Sequence, residues 1–130
     1  MNFHHLGFIV HNISDFESKM IYDKKINEVF DPVQVARLAY YSNYGNTFLE
    51  LIQPSNSQSP TWNFLQTVNG HGYHHLCYEI DSLIELDEIV RKNRLIPISK
   101  PVPAILFEGR DVVFYYTRNK MIVEFIINNN

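Results

Sequence analysis

The sequence has a single cysteine, Cys77, and therefore cannot form a disulfide within the chain. No second cysteine is available for a Cys-x-x-Cys metal site. No stretch approaches the roughly 18 apolar residues that a membrane-spanning helix needs, and no basic region followed by an apolar run indicates a signal peptide at the start. We therefore predict a cytoplasmic protein with no membrane segment.

Positive charge is also scarce, since 11 Lys and Arg face 14 Asp and Glu for a formal net charge of -3. Without a basic field to attract a phosphate backbone, nucleic-acid binding is not expected as a main role. Apolar and aromatic residues are plentiful, at 45% and 14% of the 130 residues. This composition is typical of a globular protein, with either one ordinary domain or two very small motifs that share a core.

The most informative pattern is an internal repeat. The triplet His-His-Leu occurs at 4–6 and again at 74–76, each time with an aromatic residue just before it and another two places after it. Glu50, within FLELI, has a counterpart in Glu124, within IVEFI. The two copies of His-His-Leu are 70 residues apart, and the two glutamates are 74 residues apart. In both halves the triplet comes before the glutamate. We interpret this as a duplication whose halves have the same order of elements.

Each half is predicted to contain a strand, a helix and then two or three strands. The helices are expected at about Asp15–Lys25 and Ile84–Asn93, because both stretches follow the repeated first strand. Short runs rich in β-branched and aromatic residues, Val33–Tyr41 and Asp111–Tyr116, precede the two glutamate strands and indicate hairpins.

The halves are joined by a polar segment that begins with QPSNSQSP at Gln53. A short helix is predicted at Thr61–Val68, with Ser59 as its cap and Pro60 in its first turn. We expect a single domain over 1–130, with a first module at about 1–52, the linker and short helix at 53–72, and a second module at about 73–127.

Histidine and glutamate positions suggest a metal site. All six histidines lie near the two repeat starts, at 4, 5, 11, 71, 74 and 75. Glu50 and Glu124 lie in mid-strand between bulky apolar residues, where burying an unpaired carboxylate costs several kcal/mol. One histidine and one glutamate from each half would suit a divalent Zn, Ni, Co, Mn or Fe ion. Solvated glutamates on an open sheet face, with structural histidines, are the alternative.

Four strings carry a resemblance to a known family: HHLGFIV, LELIQPSNSQSPTWNFL, GYHHLCYEID and EGRDVVFYYTRNKMIVEFI. They resemble the vicinal oxygen chelate (glyoxalase/bleomycin resistance/dioxygenase) superfamily, and within it the methylmalonyl-CoA epimerases and short glyoxalase-like proteins. The resemblance covers nearly the whole chain and is poorest between Asp15 and Pro32. It implies an α+β fold in which two βαβββ modules form an open, cupped mixed β-barrel around a metal site.

The resemblance also implies the ligands of one divalent metal ion. They are His5, Glu50, His75 and Glu124, because the family match falls on the second residue of each His-His pair. Strand alternation agrees, since His4 and His74 then point to the opposite face. Glu124 is the expected catalytic base, which would take a proton next to a carbonyl that the metal polarises.

Other residues are weaker candidates for substrate binding. Better-characterised epimerases of the family carry a further carboxylate in the strand before the first glutamate ligand, but residues 32–49 contain no Asp or Glu. Gln34 and Arg37 are the polar side chains there. Cys77 shares a strand face with His75, and Arg110 matches a Gly-Arg position common in short members. For Cys77 and Arg110 a structural role is an equal or stronger reading.

The function expected from the resemblance is that of an epimerase or isomerase acting on a small molecule, such as an acyl-CoA or another thioester, as a homodimer. A lactoylglutathione lyase-like glyoxalase is the second reading, because its two-His, two-Glu ligand set is matched. A non-catalytic, drug-binding protein of the same fold is the third, although such members typically lack the ligands. Extradiol ring cleavage is disfavoured by the second glutamate.

Overall fold

A computed structural model describes residues 1–67 and 71–128. The described residues form nine strands, three α-helices and one short 3-10 helix. In chain order these are β1 Asn2–Val10, α1 Ile13–Glu17, β2 Lys24–Asp31, β3 Ala36–Ser42, β4 Phe48–Pro54, α2 Trp62–Gln66, β5 His71–Ile80, α3 Leu83–Asn93, β6 Ile96–Pro97, β7 Val102–Pro103, the 3-10 helix Ile105–Phe107, β8 Asp111–Tyr116 and β9 Ile122–Ile127.

The chain divides into two compact units. The first unit is His5–His74, and the second unit is Met1–His4 together with His75–Asn130. Each contains the order strand, helix, strands that the repeat predicted, so the α+β class and the two βαβββ modules are confirmed. The described helices include none long and apolar enough to cross a membrane.

In the first unit the strands are ordered β2-β3-β4-β1. β1 and β4 are parallel, while β2, β3 and β4 pair antiparallel. One face of these strands packs on α1 through a hydrophobic cluster, and we call it the helix face. The buried members of the cluster are Val10, Ile13, Ala39, Tyr41, Leu49 and Leu51.

In the second unit the strands are ordered β5-β9-β8-β6, and β7 also pairs with β8. β5 and β9 are parallel, and β8 and β9 are antiparallel. The position of β2 is here taken by the two-residue strands β6 and β7. Proline lacks the N–H that a ladder needs, and Pro97, Pro101 and Pro103 explain the interruption. The helix face of this unit carries its own cluster of Ile80, Leu86, Val113, Val123, Phe125 and Ile127.

Two helices begin at side-chain caps. The Asn12 side chain accepts a hydrogen bond from the Asp15 backbone N–H at the start of α1, and Ser82 does the same for Glu85 at the start of α3. The predicted helix at Ile84–Asn93 is confirmed, whereas the one predicted at Asp15–Lys25 ends at Glu17. The chain leaves α1 early, and Met20 and Tyr22 then pack against the hydrophobic cluster as irregular structure.

Two predicted boundaries were wrong. The segment Val33–Val35 forms the β2–β3 turn, with Val35 at φ 49, so β3 begins only at Ala36. The cap of α2 is Thr61 rather than Ser59, and it makes no side-chain hydrogen bond to the helix. The Ser59 hydroxyl instead bonds the Thr61 hydroxyl at 3.1 Å. Val68, the predicted end of this helix, lies outside the described residues.

Candidate functional site

A buried histidine and glutamate lie side by side in the first unit. In the parallel β1–β4 ladder Glu50 lies opposite Gly7, two residues beyond His5. His5 Nε2 and Glu50 Oε1 are 3.5 Å apart. Leu6 and Leu49 pack on the helix face, so alternation turns His5 and Glu50 to the other face, which we call the site face. His5 is 0% exposed and Glu50 is 3% exposed.

The second unit repeats this arrangement. In the parallel β5–β9 ladder Glu124 lies opposite Cys77, two residues beyond His75. His75 Nε2 and Glu124 Oε1 are 3.2 Å apart. Val123 and Phe125 belong to the cluster on the helix face, so Glu124 points to the site face. His75 is 0% exposed and Glu124 is 2% exposed.

An aromatic ring stands beside each histidine. Tyr40 lies directly across from Glu50 in the β3–β4 ladder, and Phe114 lies across from Glu124 in the β8–β9 ladder. The Tyr40 ring meets His5 edge-on at 6.1 Å between centroids, and the Phe114 ring meets His75 edge-on at 5.7 Å. Sequence analysis did not single out these two aromatics, although they are 74 residues apart, as the two glutamates are.

The donor atoms suit a divalent cation. A neutral imidazole and a carboxylate are both ordinary ligands of Zn, Ni, Co, Mn and Fe(II). An ionised carboxylate that is almost fully buried needs strong electrostatic compensation, because its desolvation costs several kcal/mol. A cation supplies such compensation, whereas solvation does not at an exposure of 3% or less. Each histidine–glutamate pair therefore offers donors that suit a divalent cation, and the solvated-glutamate alternative fails for both glutamates.

Cys77 lies on the site face of the second unit, between His75 and Glu79 along β5. Its side chain is fully buried, and its Sγ contacts the Tyr78 carbonyl oxygen at 3.8 Å. Cys77 therefore lies on the same strand face as His75, as expected from the sequence, and it pairs in register with Glu124. A buried thiol of this kind behaves as a small apolar side chain.

The side chains of Gln34 and Arg37 make contacts away from the site face. The Gln34 side chain lies in the β2–β3 turn and donates to Asp31 Oδ2 at 3.3 Å. Arg37 alternates with Leu38 and Tyr40, so it points to the helix face rather than the site face. Its guanidinium is paired with Glu28 on the neighbouring strand. The structure therefore does not bring either side chain to Glu50.

Arg110 binds the strand end of the second unit. Its Nη1 donates to Glu79 Oε2 at 2.8 Å and to Asn128 Oδ1 at 2.6 Å, and its Nε donates to the Phe107 carbonyl oxygen at 3.3 Å. These bonds join the end of β5 to the loop before β8. The same contacts give Glu79 an ion-pair partner at the end of β5.

The profile of the Glyoxalase/Bleomycin resistance protein/Dioxygenase superfamily matches residues 4–114. The mitochondrial methylmalonyl-CoA epimerase of Dictyostelium discoideum is 28% identical over 109 residues, which cover 82% of this chain and 64% of that protein. The chain therefore spans somewhat less than two thirds of the length of this relative.

Two solved structures have the same fold. A hypothetical protein from Bacillus halodurans C-125 is 26% identical and superposes with a TM-score of 0.81, covering 98% of this chain and 94% of that chain. Methylmalonyl-CoA epimerase from Mycobacterium tuberculosis superposes with a TM-score of 0.77 at 16% identity, covering 99% and 89%. The second likeness bears on the fold alone.

Proposed function

The chain belongs to the Glyoxalase/Bleomycin resistance protein/Dioxygenase superfamily, and we propose that it is a metal-dependent epimerase or isomerase. It acts by removing a proton next to a carbonyl or thioester, and the substrate class that we favour is an acyl-CoA such as methylmalonyl-CoA. The relative from Dictyostelium discoideum, named for that reaction, supports this choice of substrate. The observation that carries the proposal is the matched pair of buried histidine and glutamate in the two units.

In this proposal His5, Glu50, His75 and Glu124 together hold one divalent ion. A single pair offers two donors, whereas the ions concerned take four or more ligands. Two neutral imidazoles and two carboxylates bring a charge of about -2, which balances a divalent cation in a buried setting. When bound, the ion supplies a Lewis acid that stabilises negative charge on a carbonyl oxygen.

Glu124 is the base in this proposal. Its carboxylate oxygen takes the proton from the carbon next to the carbonyl and can return it. Phe114 and Cys77, its neighbours in register, give it an apolar setting that limits competing hydrogen bonds from water.

A second candidate is an isomerase of the lactoylglutathione lyase type, and one observation favours it. Epimerisation through two faces calls for a second acid or base, but residues 32–49 contain no Asp or Glu. Glu79, the other carboxylate near the site face of β5, is held by Arg110 at 2.8 Å. A reaction in which one carboxylate moves a proton between adjacent carbons needs no second group.

Metal content and proton exchange test the proposal together. Protein purified without chelator is expected to contain close to one divalent ion per chain and to exchange the α-proton of methylmalonyl-CoA in deuterated water, as followed by mass spectrometry. We expect His75→Ala to lose the ion. The matched control is His74→Ala, because His74 lies on the other face of β5 and contacts Phe64 edge-on at 5.2 Å.

The base is tested by Glu124→Gln. We expect exchange to fall by about 100-fold to 10,000-fold, the usual contribution of a positioned general base. Thermal melting of each variant verifies that it folds. Equal metal loss in His74→Ala and His75→Ala would contradict the assignment of His75 as a metal ligand. Metal-replete native protein that exchanges no α-proton, but converts the hemithioacetal of methylglyoxal and glutathione, would replace the epimerase by the second candidate.

A further inference from the structure

The second unit contains a cavity on its helix face. Its volume is about 710 Å³, within the range of roughly 300–1,000 Å³ that small-molecule sites occupy. The cavity lies between the last turn of α3, the β8–β9 turn and the adjoining strands, and its floor is formed by Leu76, Tyr78, Val123 and Phe125. These residues alternate along β5 and β9 with the proposed metal donors, so the cavity is on the opposite face of the same strands.

The cations at this cavity are its distinctive feature. Lys92, Arg94 and Arg118 line it, and none of the lining residues is acidic. This concentration of positive charge occurs in a chain whose formal net charge is -3. Over residues 1–67 and 71–128 no ion pair joins these three side chains to a carboxylate. The ammonium group of Met1 also lies here, but it is paired with Glu85 at 2.8 Å and we do not count its charge.

The backbone holds one of these cations in an unusual conformation. Arg94 ends α3 in the left-handed region, with φ 52 and ψ 47. Helices usually place glycine or asparagine at such a position, because a side chain with a Cβ is strained there. The Arg94 side chain thus leaves the chain at the end of α3, where it lines the cavity.

We propose that this cavity binds a small organic anion with an apolar body. The charged group pairs with Lys92, Arg94 and Arg118, and the body covers the apolar floor. A phosphate and a carboxylate share this chemistry, and arginine binds either in a bidentate manner. The site is independent of the proposed function, because it shares no residue with the histidine and glutamate pairs.

Two charge-reversed variants test the role of the cations. The first, Lys92→Glu with Arg118→Glu, changes two lining residues. The second, Arg91→Glu with Lys120→Glu, makes the same change of charge one residue away in α3 and two residues away in the β8–β9 turn, at positions that do not line the cavity. Octyl phosphate, octanoate and neutral octan-1-ol are titrated calorimetrically into each folded protein, below their aggregation limits. We expect the first variant to bind the preferred anion about tenfold more weakly and the second to stay within about twofold of the native protein.

A series of chain lengths tests the apolar floor. If the body is buried, each added methylene from butyl to octyl phosphate tightens binding about fourfold. The neutral variant Lys92→Gln with Arg118→Gln should lose less affinity for the anion than the charge-reversed variant. It replaces that variant if charge reversal lowers the melting temperature. The anion that binds more tightly identifies the headgroup. Equal losses in both reversed variants, octan-1-ol binding as tightly as the anions, or affinity independent of chain length would each overturn the proposal.

Discussion

The two units place a histidine and a glutamate in the same register, yet the structure around each pair is built differently. Glu50 lies across from Tyr40 and Glu124 lies across from Phe114, each with its histidine on the neighbouring parallel strand. Away from the pair the units diverge: β2 has eight residues where β6 has two, and α1 has five residues where α3 has 11.

The comparison shows that two parallel strands and one antiparallel neighbour are enough to position the histidine beside the glutamate. The ladder fixes which residues lie opposite one another, and alternation fixes the face. The outer strands and the helices, which differ between the units, do not affect this positioning. In the first unit Phe16, Met20 and Tyr22 pack against the hydrophobic cluster, whereas the second unit has the cationic cavity beside its cluster.

The largest effects on the free energy of unfolding are expected from substitutions at two equivalent core positions, one in each unit. Leu51 and Phe125 each follow the site glutamate by one residue, lie on the helix face and are 0% and 1% exposed. We expect Leu51→Ala to lower the free energy of unfolding by about 2–5 kcal/mol and Phe125→Ala by about 3–5 kcal/mol, because each leaves a cavity in its cluster. Urea denaturation measures both values.

The control for this prediction is Arg118→Ala, an exposed residue in the β8–β9 turn, which should change the unfolding free energy by no more than about 0.5 kcal/mol. If Leu51→Ala or Phe125→Ala proved as mild as this control, the corresponding cluster would not be the core of its unit.

A smaller effect is expected from a pair of equivalent tyrosines. The Tyr41 hydroxyl donates to Glu17 Oε1 at 2.8 Å and thereby ties β3 to α1. Burial, together with this bond, raises the pKa of Tyr41, so it remains a donor at any ordinary pH. Among the described residues Tyr115, the counterpart 74 positions later, makes no side-chain hydrogen bond.

Tyr41→Phe should therefore cost about 1.5 kcal/mol of unfolding free energy, the value of a hydrogen bond to a charged group. Tyr115→Phe should stay within about 0.5 kcal/mol of the native protein. Thermal and urea unfolding of the two variants give the comparison directly. Equal costs would show that the hydroxyl bond to Glu17 is not what distinguishes the units.

The repeat made the fold largely predictable from sequence, because the His-His-Leu strand and the glutamate strand recur in the same order in both copies. The α3 segment was identified within one residue at its start. The end of α1 was missed because Met20 and Tyr22 fit a helical pattern equally well, while tertiary packing holds them in irregular structure. The early turn at Val33–Val35 was missed because β-branched residues suggest strand, although Val35 takes a left-handed conformation.

Site residues were predictable only where a residue type was anomalous. A glutamate between apolar neighbours is visible in the sequence, and the register then brings its histidine alongside. Tyr40 and Phe114 look like ordinary core aromatics until the ladder shows them across from Glu50 and Glu124. For Arg37 the sequence gives the charge, but only the register shows that it points away from Glu50 and towards Glu28.

The smallest expected effect concerns a charge network that the first unit has on its helix side. A hydrogen bond from Lys25 lowers the pKa of Glu17, and Lys25 followed by Arg37 lowers the pKa of Glu28. Because folding lowers these pKa values, the stabilisation is complete above the unfolded pKa of about 4.3 and is lost as the pH falls through the lower folded values. Acid should therefore weaken the native protein through these two carboxylates.

Lys25→Met removes the first cause of both shifts, so the variant should lose less stability than the native protein between about pH 6 and about pH 3. Both carboxylates are partly exposed, with 23% and 24% of their side-chain surface accessible, which keeps the difference under about 1 kcal/mol. Urea midpoints at several pH values measure it. Lys19→Met is the control, because its partner Asp15 is 69% exposed and the pair should add nothing measurable. Parallel pH profiles for native protein and Lys25→Met would mean that the network does not stabilise the first unit.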